Sequence, residues 1–575
     1  MTQEKRKYAV VDLEATSASS NAKIIQVGIV IIENSQIVKT YETDVNPHEK
    51  LDSHICQLTG LTDKRLRRAP DFSQVAREIY ELIEDAIFVA HNVKFDANLL
   101  AEALFWEGFE LMTPRVDTVE LAQVFFPTFE KYNLGILCEQ LDIPLKHAHT
   151  ALADASATAT LFLKIQEKIQ KLPKELVEYL LKFSDSLIYE SRLAIEDAFH
   201  QMSGITCHDL MKWQGIFLRK SKKIKKARKL SKNFQHNINL LALEERKEQD
   251  EFAHAVEQAL KSHQSSFLQA QTGLGKTYGY LLPALGQTSK QILVTVPTKV
   301  LQDQIVANEG QNLEQIFHIS LHSLKSPVNY LKLDFFYDSL QQVDDNRLVN
   351  RCKMLLLVWL TETESGDLDE IGQRHRYQTY LQQVLHDGKL SKKSHFWDTD
   401  FWQKGQEKSK RSRVLVTNHA YFLTRLEDDK SIVENRLLIV DEAQKLFLAL
   451  ENLSRKSLNM TKCLQQIQLE LKEVNTILER RLLEDIQFEL AHAIEQFQRY
   501  RKNELAKETC SKLRQDLSEI NTSSLSDLRA IFATKYDQFW LKEERFDDYR
   551  VTMLEAACLE MLDFRALLPE EVQVL

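Results

Sequence analysis

A chain of 575 residues is longer than one hydrophobic core supports, and at roughly 150 residues per domain it predicts three or four folded units. With 43% hydrophobic and 27% charged residues it reads as a helix-rich globular protein, which excludes a disordered chain, and no run approaches the ~18 apolar residues of a membrane span. The net charge of −9 does not exclude a nucleic-acid partner, because binding follows where Lys and Arg cluster rather than their sum.

The opening segment is strand-like: Tyr8 to Glu14, Ile24 to Ile32 and Ile37 to Tyr41, with Glu33-Asn34-Ser35 as a polar turn. Three antiparallel strands fit this pattern. From Phe72 to Glu84 apolar residues return at helical spacing, Ile87 to Ala90 is a short buried strand, and Asn92 stands where an N-cap would precede a helix running to Trp106. A strand or loop at Arg115 to Val119 and helical stretches through Ile165 complete an α/β pattern, giving a first domain over 1–166. Residues 167–240 read as a helical, charged connector, in which Arg219 to Lys232 carries nine basic residues among fourteen. That run fits a phosphate-tracking surface or a solvated linker equally well. A second α/β unit is expected over 241–445, with strands at 266–270, 292–296, 414–417 and 437–440 and a helical insertion at about 325–410. Residues 446–575 read as a further helical insertion.

Asp12 and Glu14 are two apart on a predicted strand, so both carboxylates leave the same face. Alone this pattern is common on exposed strand ends. It gains meaning from Asp96, near the start of its helix, and from Asp154, preceded by His149. Five positions along one helix would turn His149 ~140° away from Asp154, so His149 is expected on the loop ahead of that helix. Four carboxylates are a ligand set for hard divalent cations, Mg2+ or alternatively Mn2+, and two such ions can activate water against a phosphodiester. A nearby histidine is suited to take the proton. His147 reads as a loop residue and His91 as support for its strand end.

Val11-Asp-Leu-Glu-Ala-Thr16, His91-Asn-Val-Lys-Phe-Asp96 and His149-Thr-Ala-Leu-Ala-Asp154 resemble, in order and separation, the three motifs of the DEDDh exonucleases typified by the proofreading epsilon subunit of bacterial DNA polymerase III. Ile55-Cys-Gln-Leu-Thr-Gly-Leu-Thr62 and Asp117-Thr-Val-Glu-Leu-Ala122 also look like that family. The resemblance covers about residues 6–166 and implies an RNase H-like fold releasing mononucleotides from a 3′ end. It assigns Asp12, Glu14, Asp96 and Asp154 to metal and His149 to the general base, with DNA as substrate and RNA as the alternative.

Ala270-Gln-Thr-Gly-Leu-Gly-Lys-Thr277 has the form of a P-loop: Gly273 and Gly275 let backbone N–H groups face phosphate, Lys276 reaches the β- and γ-phosphates and the Thr277 hydroxyl completes a magnesium shell. Asp441 and Glu442 end a buried apolar strand, where Asp441 would hold the metal and Glu442 would polarise water. Arg246-Lys-Glu-Gln249 resembles the adenine-contacting segment of superfamily 2 helicases. Pro297-Thr-Lys-Val-Leu-Gln302 and Val416-Thr-Asn-His-Ala420 resemble segments of its DinG-like branch. This implies ATP binding by a partial RecA-like domain. Relatives often hold an iron–sulfur cluster between these motifs, but here only Cys352 lies there, so no cluster is expected. No second motor domain is recognisable after Gln444. The expectation is therefore nucleotide binding with little hydrolysis, the alternative being an ATP-dependent helicase whose second motor domain lies beyond Leu575. Seven scattered cysteines without a C-x-x-C pair, and an N-terminus with no apolar leader region, make a cytoplasmic location the expectation.

Overall fold

In a computed structural model, the chain is described at all residues except 1–5, 18, 20–21, 146–147, 204–206, 221–229, 475, 521, 523–524, 533–534, 547–548 and 561–562. His147 and most of the basic run between Arg219 and Lys232 lie outside the described residues. The chain divides into two compact units, residues 1–223 with 326–405, and residues 224–325 with 406–575.

The first unit is built on β1 (Lys7–Ala15), β2 (Ile24–Glu33), β3 (Gln36–Asp44), β4 (Ile87–Ala90) and β5 (Arg115–Asp117), in the order β3-β2-β1-β4-β5. β1, β2 and β3 are antiparallel, and β4 and β5 run parallel to β1, which is the RNase H-like arrangement. Asn34 and Ser35 turn the β2–β3 hairpin with φ of 54° and 60°, the two positive values that match the twist of paired strands. Helices Phe72–Ile83 and Val93–Trp106 belong to the core on one face of the sheet, and Thr118–Phe125 and Ala151–Gln170 to the core on the other.

That second core does not end at residue 166. Helices Lys174–Leu181 and Arg192–His200 and the hairpin β6 (Leu210–Trp213) and β7 (Ile216–Arg219) share it, so the described part of 167–223, read from sequence as a connector, is structured with the first unit. Residues from the 325–410 insertion share it as well, led by the Arg347–Trp359 helix, whose residues from Asn350 to Trp359 are all buried. An insertion in the sequence of one unit thus completes the core of the other.

The second unit has a four-stranded parallel sheet ordered β11-β8-β10-β9, formed by β8 (Gln291–Val296), β9 (Leu321–Ser323), β10 (Val414–Asn418) and β11 (Arg436–Val440). Residues 266–270, expected as a strand, are not one; Ser266 N–H instead donates to Val574 O at 3.0 Å. Val574 in turn runs parallel to β11. Residues 446–575 depart from the helical expectation: besides helices they contain an antiparallel sheet of β12 (Arg455–Asn459), β14 (Tyr549–Ala557) and β13 (Gln538–Phe546), in that spatial order. Among the described residues no helix is long and apolar enough to cross a membrane.

Candidate active site

Four acidic side chains converge at the C-terminal end of β1. Asp12 and Glu14 leave the same face of the strand, as alternation requires. Asp96 arrives in the first turn of the Val93–Trp106 helix, and its Oδ1 accepts the N–H of Leu13 at 3.1 Å, which ties the helix to the strand between the two other acids. Asn92 precedes this helix in a left-handed conformation, φ 75°, but its side chain caps nothing. The cap comes from β5: Asp117 Oδ2 accepts Val93 N–H at 3.0 Å, while its Oδ1 accepts from Val119 and Glu120 at 2.8 and 3.2 Å. One buried carboxylate thereby starts two helices.

Asp154 comes from the first turn of the Ala151–Gln170 helix, and two residues of β2 seat that helix. Gln26 Oε1 accepts Ala151 N–H at 2.9 Å, and Gln26 is itself held by Asp44, which Arg65 grips at 2.5 and 2.8 Å. Gly28 lies opposite Asp12 in the sheet register, and a Cβ there would stand 2.3 Å from Ala151 C and O. The helix N-terminus can rest on the sheet only because that side chain is absent. His149 sits on the loop before the helix with φ 67°, its N–H donating to Asp154 Oδ2 at 3.1 Å. One ligand atom each of Glu14, His149 and Asp154 lie within 4.8 Å of one another.

The electrostatics of this cluster are unfavourable without a counter-charge. Burial, and then the charges of Asp96, Asp154 and Glu14, push Asp12 well above the usual carboxylate range. Burial and Asp154 raise Glu14 to about 7; burial raises Asp96 to about 7, against the Leu13 hydrogen bond that lowers it. Asp154 is raised as well, chiefly by burial, and its Oδ1 is buried without a hydrogen-bond partner. Crowded oxygens, one of them unsatisfied, are the donor set a hard divalent cation takes. His91 is outside the cluster: its ring pairs with Thr118 Oγ1 and Tyr132 O, each at 2.9 Å, and burial lowers its pKa.

In the second unit Gly273 and Gly275 have φ of 82° and 84°, and Lys276 begins the Lys276–Gln287 helix, followed by Thr277. Arg246 donates to Gly273 O at 3.1 Å and Gln249 Nε2 to Gly275 O at 2.8 Å, so this segment braces the glycine loop. Asp441 and Glu442 follow β11, and Lys276 bears electrostatically on both. Glu442 has φ 53° and pairs with Lys445 at 2.6 Å, which holds its carboxyl below the ordinary value. Tyr280 was not anticipated: its hydroxyl donates to Asp441 Oδ2 at 3.1 Å; His419, which stood in the Val416–Ala420 segment without an assigned role, is paired with Thr295 at 2.8 Å and pushed down to about 4 by burial.

Among the residues not anticipated in the first unit, Gly28 and Gln26 carried a faint signal, a lone glycine and a lone amide in a strand that is otherwise Ile and Val up to its last residue, Glu33. Asp117 stood in a motif-like segment but with no assigned role.

Residues 9–162 match the Exonuclease family model and residues 249–353 the DEAD/DEAH box helicase model. The 3'-5' exonucleases DinG of Staphylococcus aureus strains USA300 and MRSA252 are each 31% identical over 464 residues, which is 76% of this chain and 50% of theirs. The chain thus spans about half the length of the curated relatives it matches. Among solved structures, Exonuclease X in complex with 5' overhanging duplex DNA is 22% identical, with a TM-score of 0.24 over 28% of this chain and 91% of that one. XPD_Helicase is 15% identical, with a TM-score of 0.33 over 58% of this chain and 57% of that one. The chain therefore joins an exonuclease-family domain to a DEAD/DEAH box helicase domain and is a homologue of the DinG 3'-5' exonucleases.

Proposed function

We propose that the first unit is a magnesium-dependent 3′→5′ exonuclease that hydrolyses DNA from its 3′ end, and that the second unit binds ATP. The observation that carries the reading is the convergence of Asp12, Glu14, Asp96 and Asp154, with repelling charges and an unsatisfied Asp154 oxygen, beside His149. A pair of divalent cations at such a site supplies an acidified water and neutralises charge on the phosphodiester. The four carboxylates offer their oxygens from three separate elements. The Leu13 N–H fixes Asp96, and Gln26 with Gly28 fixes the approach of Asp154. His149, exposed at the rim, would accept the proton of the attacking water at a ring nitrogen as the water oxygen bonds to phosphorus and the P–O3′ bond breaks; the released mononucleotide keeps the phosphate, and the 3′ oxygen left on the shortened strand takes a proton from solvent.

Polarity rests on the relatives, which are described as 3'-5' exonucleases; DNA as the substrate is this reading's own choice, with RNA as the alternative. The P-loop glycines, Lys276 and the Asp441–Glu442 pair support nucleotide binding by the second unit, with Gln249 holding the loop. A cytoplasmic setting belongs to the same reading and accords with seven free cysteines.

The test is digestion of 5′-labelled DNA and matched RNA oligonucleotides in Mg2+, with and without ATP. Wild type should shorten DNA from the 3′ end, and an Asp12→Ala, Glu14→Ala variant should not. Equal behaviour of the two proteins would mean that the carboxylate centre is not a nuclease.

A further inference from the structure

We propose that residues 326–405, although they interrupt the sequence of the P-loop unit, are a working part of the nuclease, in which Arg351 is a positioning residue for Asp96. The inference rests on the nuclease reading above and goes beyond it, because that reading needs nothing from residues past 166.

The Arg347–Trp359 helix is buried from Asn350 to Trp359, and its apolar residues from Met354 to Trp359 lie in the core. It carries one guanidinium into that core: Arg351 Nη1 donates to Glu120 Oε1 at 2.9 Å, with the two side chains 9% and 5% exposed. A buried ion pair is costly to desolvate and adds little net stability, so what it contributes is a fixed geometry. Glu120 is the right residue to fix. Its other carboxylate oxygen accepts Ile188 N–H at 2.6 Å, and its backbone N–H donates to Asp117, the carboxylate that also caps Val93. Val93 opens the helix on which Asp96 stands three residues later. A shift of Glu120 therefore reaches Asp96 through a single carboxylate.

A second anchor reaches the same place from another side. Gly372 N–H donates to Pro127 O at 3.0 Å, and a Cβ at Gly372 would stand 1.8 Å from Phe129 O, so only glycine fits. Gln373 Nε2 donates to Glu130 O at 3.3 Å. The loop they hold presents the Tyr132 carbonyl to His91, whose other ring nitrogen pairs with Thr118 beside Asp117. Both routes from the insertion end at the start of the Asp96 helix.

The experiment uses the full chain. Arg351→Met leaves the Glu120 charge buried and unpaired. Mn2+ affinity is read by electron paramagnetic resonance, kcat and KM by digestion of labelled DNA, and folding by circular dichroism. The expected result is Mn2+ affinity weaker by about tenfold or more and kcat lower by 10–100-fold, on the order of what lost support around a metal site costs, with KM unchanged. Leu176→Ala thins the same core away from Glu120 and serves as the stability control; it should leave Mn2+ affinity and kcat unchanged. An Arg351→Met protein within twofold of wild type in both readouts overturns the proposal, as does a Leu176→Ala protein that shifts them equally. If Arg351→Met does not fold, Gly372→Ala is read in its place, with the same two results counting for and against. A wild type that binds Mn2+ without digesting DNA would refute the nuclease reading, while the Mn2+ titrations would still decide the role of Arg351.

Discussion

Replacing Gly28 with alanine adds one methyl group at the place where β2 and the Asp154 helix touch. The new Cβ would stand 2.3 Å from Ala151 C and O and 2.5 Å from Leu152 N, all backbone atoms that cannot rotate away. Ordinary carbon contacts are about 3.5–4.0 Å, so the helix start must lift by about 1 Å or more. Such overpacking costs roughly 1–3 kcal/mol of stability. The larger effect falls on the chemistry, because Asp154 and His149 ride on the displaced segment while Asp12 stays on β1. A misplacement of about 1 Å at a catalytic group costs on the order of 10²-fold in rate. The assay is kcat for 3′-end digestion at saturating Mg2+, with a thermal melt on the same sample. Gly135→Ala is the control: it lies in the Leu134–Gln140 helix with nothing within 4 Å of a new Cβ. It should leave kcat unchanged and stabilise by about 0.5–1 kcal/mol. A folded Gly28→Ala protein with kcat within twofold of wild type would refute the claim that this contact sets the site.

The raised carboxylates give a pH prediction. Glu14 and Asp96 titrate near 7 in the folded, metal-free protein and at ordinary values of about 4 when unfolded, so the folded state holds protons that the unfolded chain has released. Their penalty is full above pH 7 and shrinks as pH falls through 7 toward 4. The melting temperature of metal-free wild type, relative to Asp96→Asn, should therefore rise between pH 8 and 5.5, and Mg2+ or Mn2+ should raise it at pH 8; a flat difference would contradict the electrostatic account. Asp117→Ala removes the cap of two helices and should cost about 1–2 kcal/mol per cap in denaturant unfolding, with weaker Mn2+ binding; unchanged stability would show that the caps are dispensable. Lys276→Ala should abolish binding of a fluorescent ATP analogue while leaving Mg2+-dependent digestion without nucleotide unchanged, and retained binding would remove the phosphate-loop reading.

The residues that make up the carboxylate centre were legible in the sequence because their chemistry is local. Period alone puts two acids on one strand face, an acid in the first turn of each of two helices and a histidine just ahead of the second, and the resemblance to the DEDDh exonucleases implied that they belong to one centre. The phosphate loop was legible for the same reason, since two glycines before a lysine fix both backbone and helix start. Residues 266–270 were misjudged, because an apolar run with a polar interruption does not say whether a partner strand lies beside it. β12, β13 and β14 were missed because alternation in β13 and β14 was read through the long helical stretches around them.

The sequence by itself determined which side chains carry charge and phosphate-binding capacity, and in what order. Only the tertiary structure decided that Gly28 must be bare, that Asp117 starts two helices, and that Arg351 pairs with Glu120 across 231 positions of chain. Those facts depend on which surfaces meet once the chain has closed on itself. Burial converts an ordinary glycine or arginine into a constraint, and burial is a property of the assembled core rather than of any segment within it.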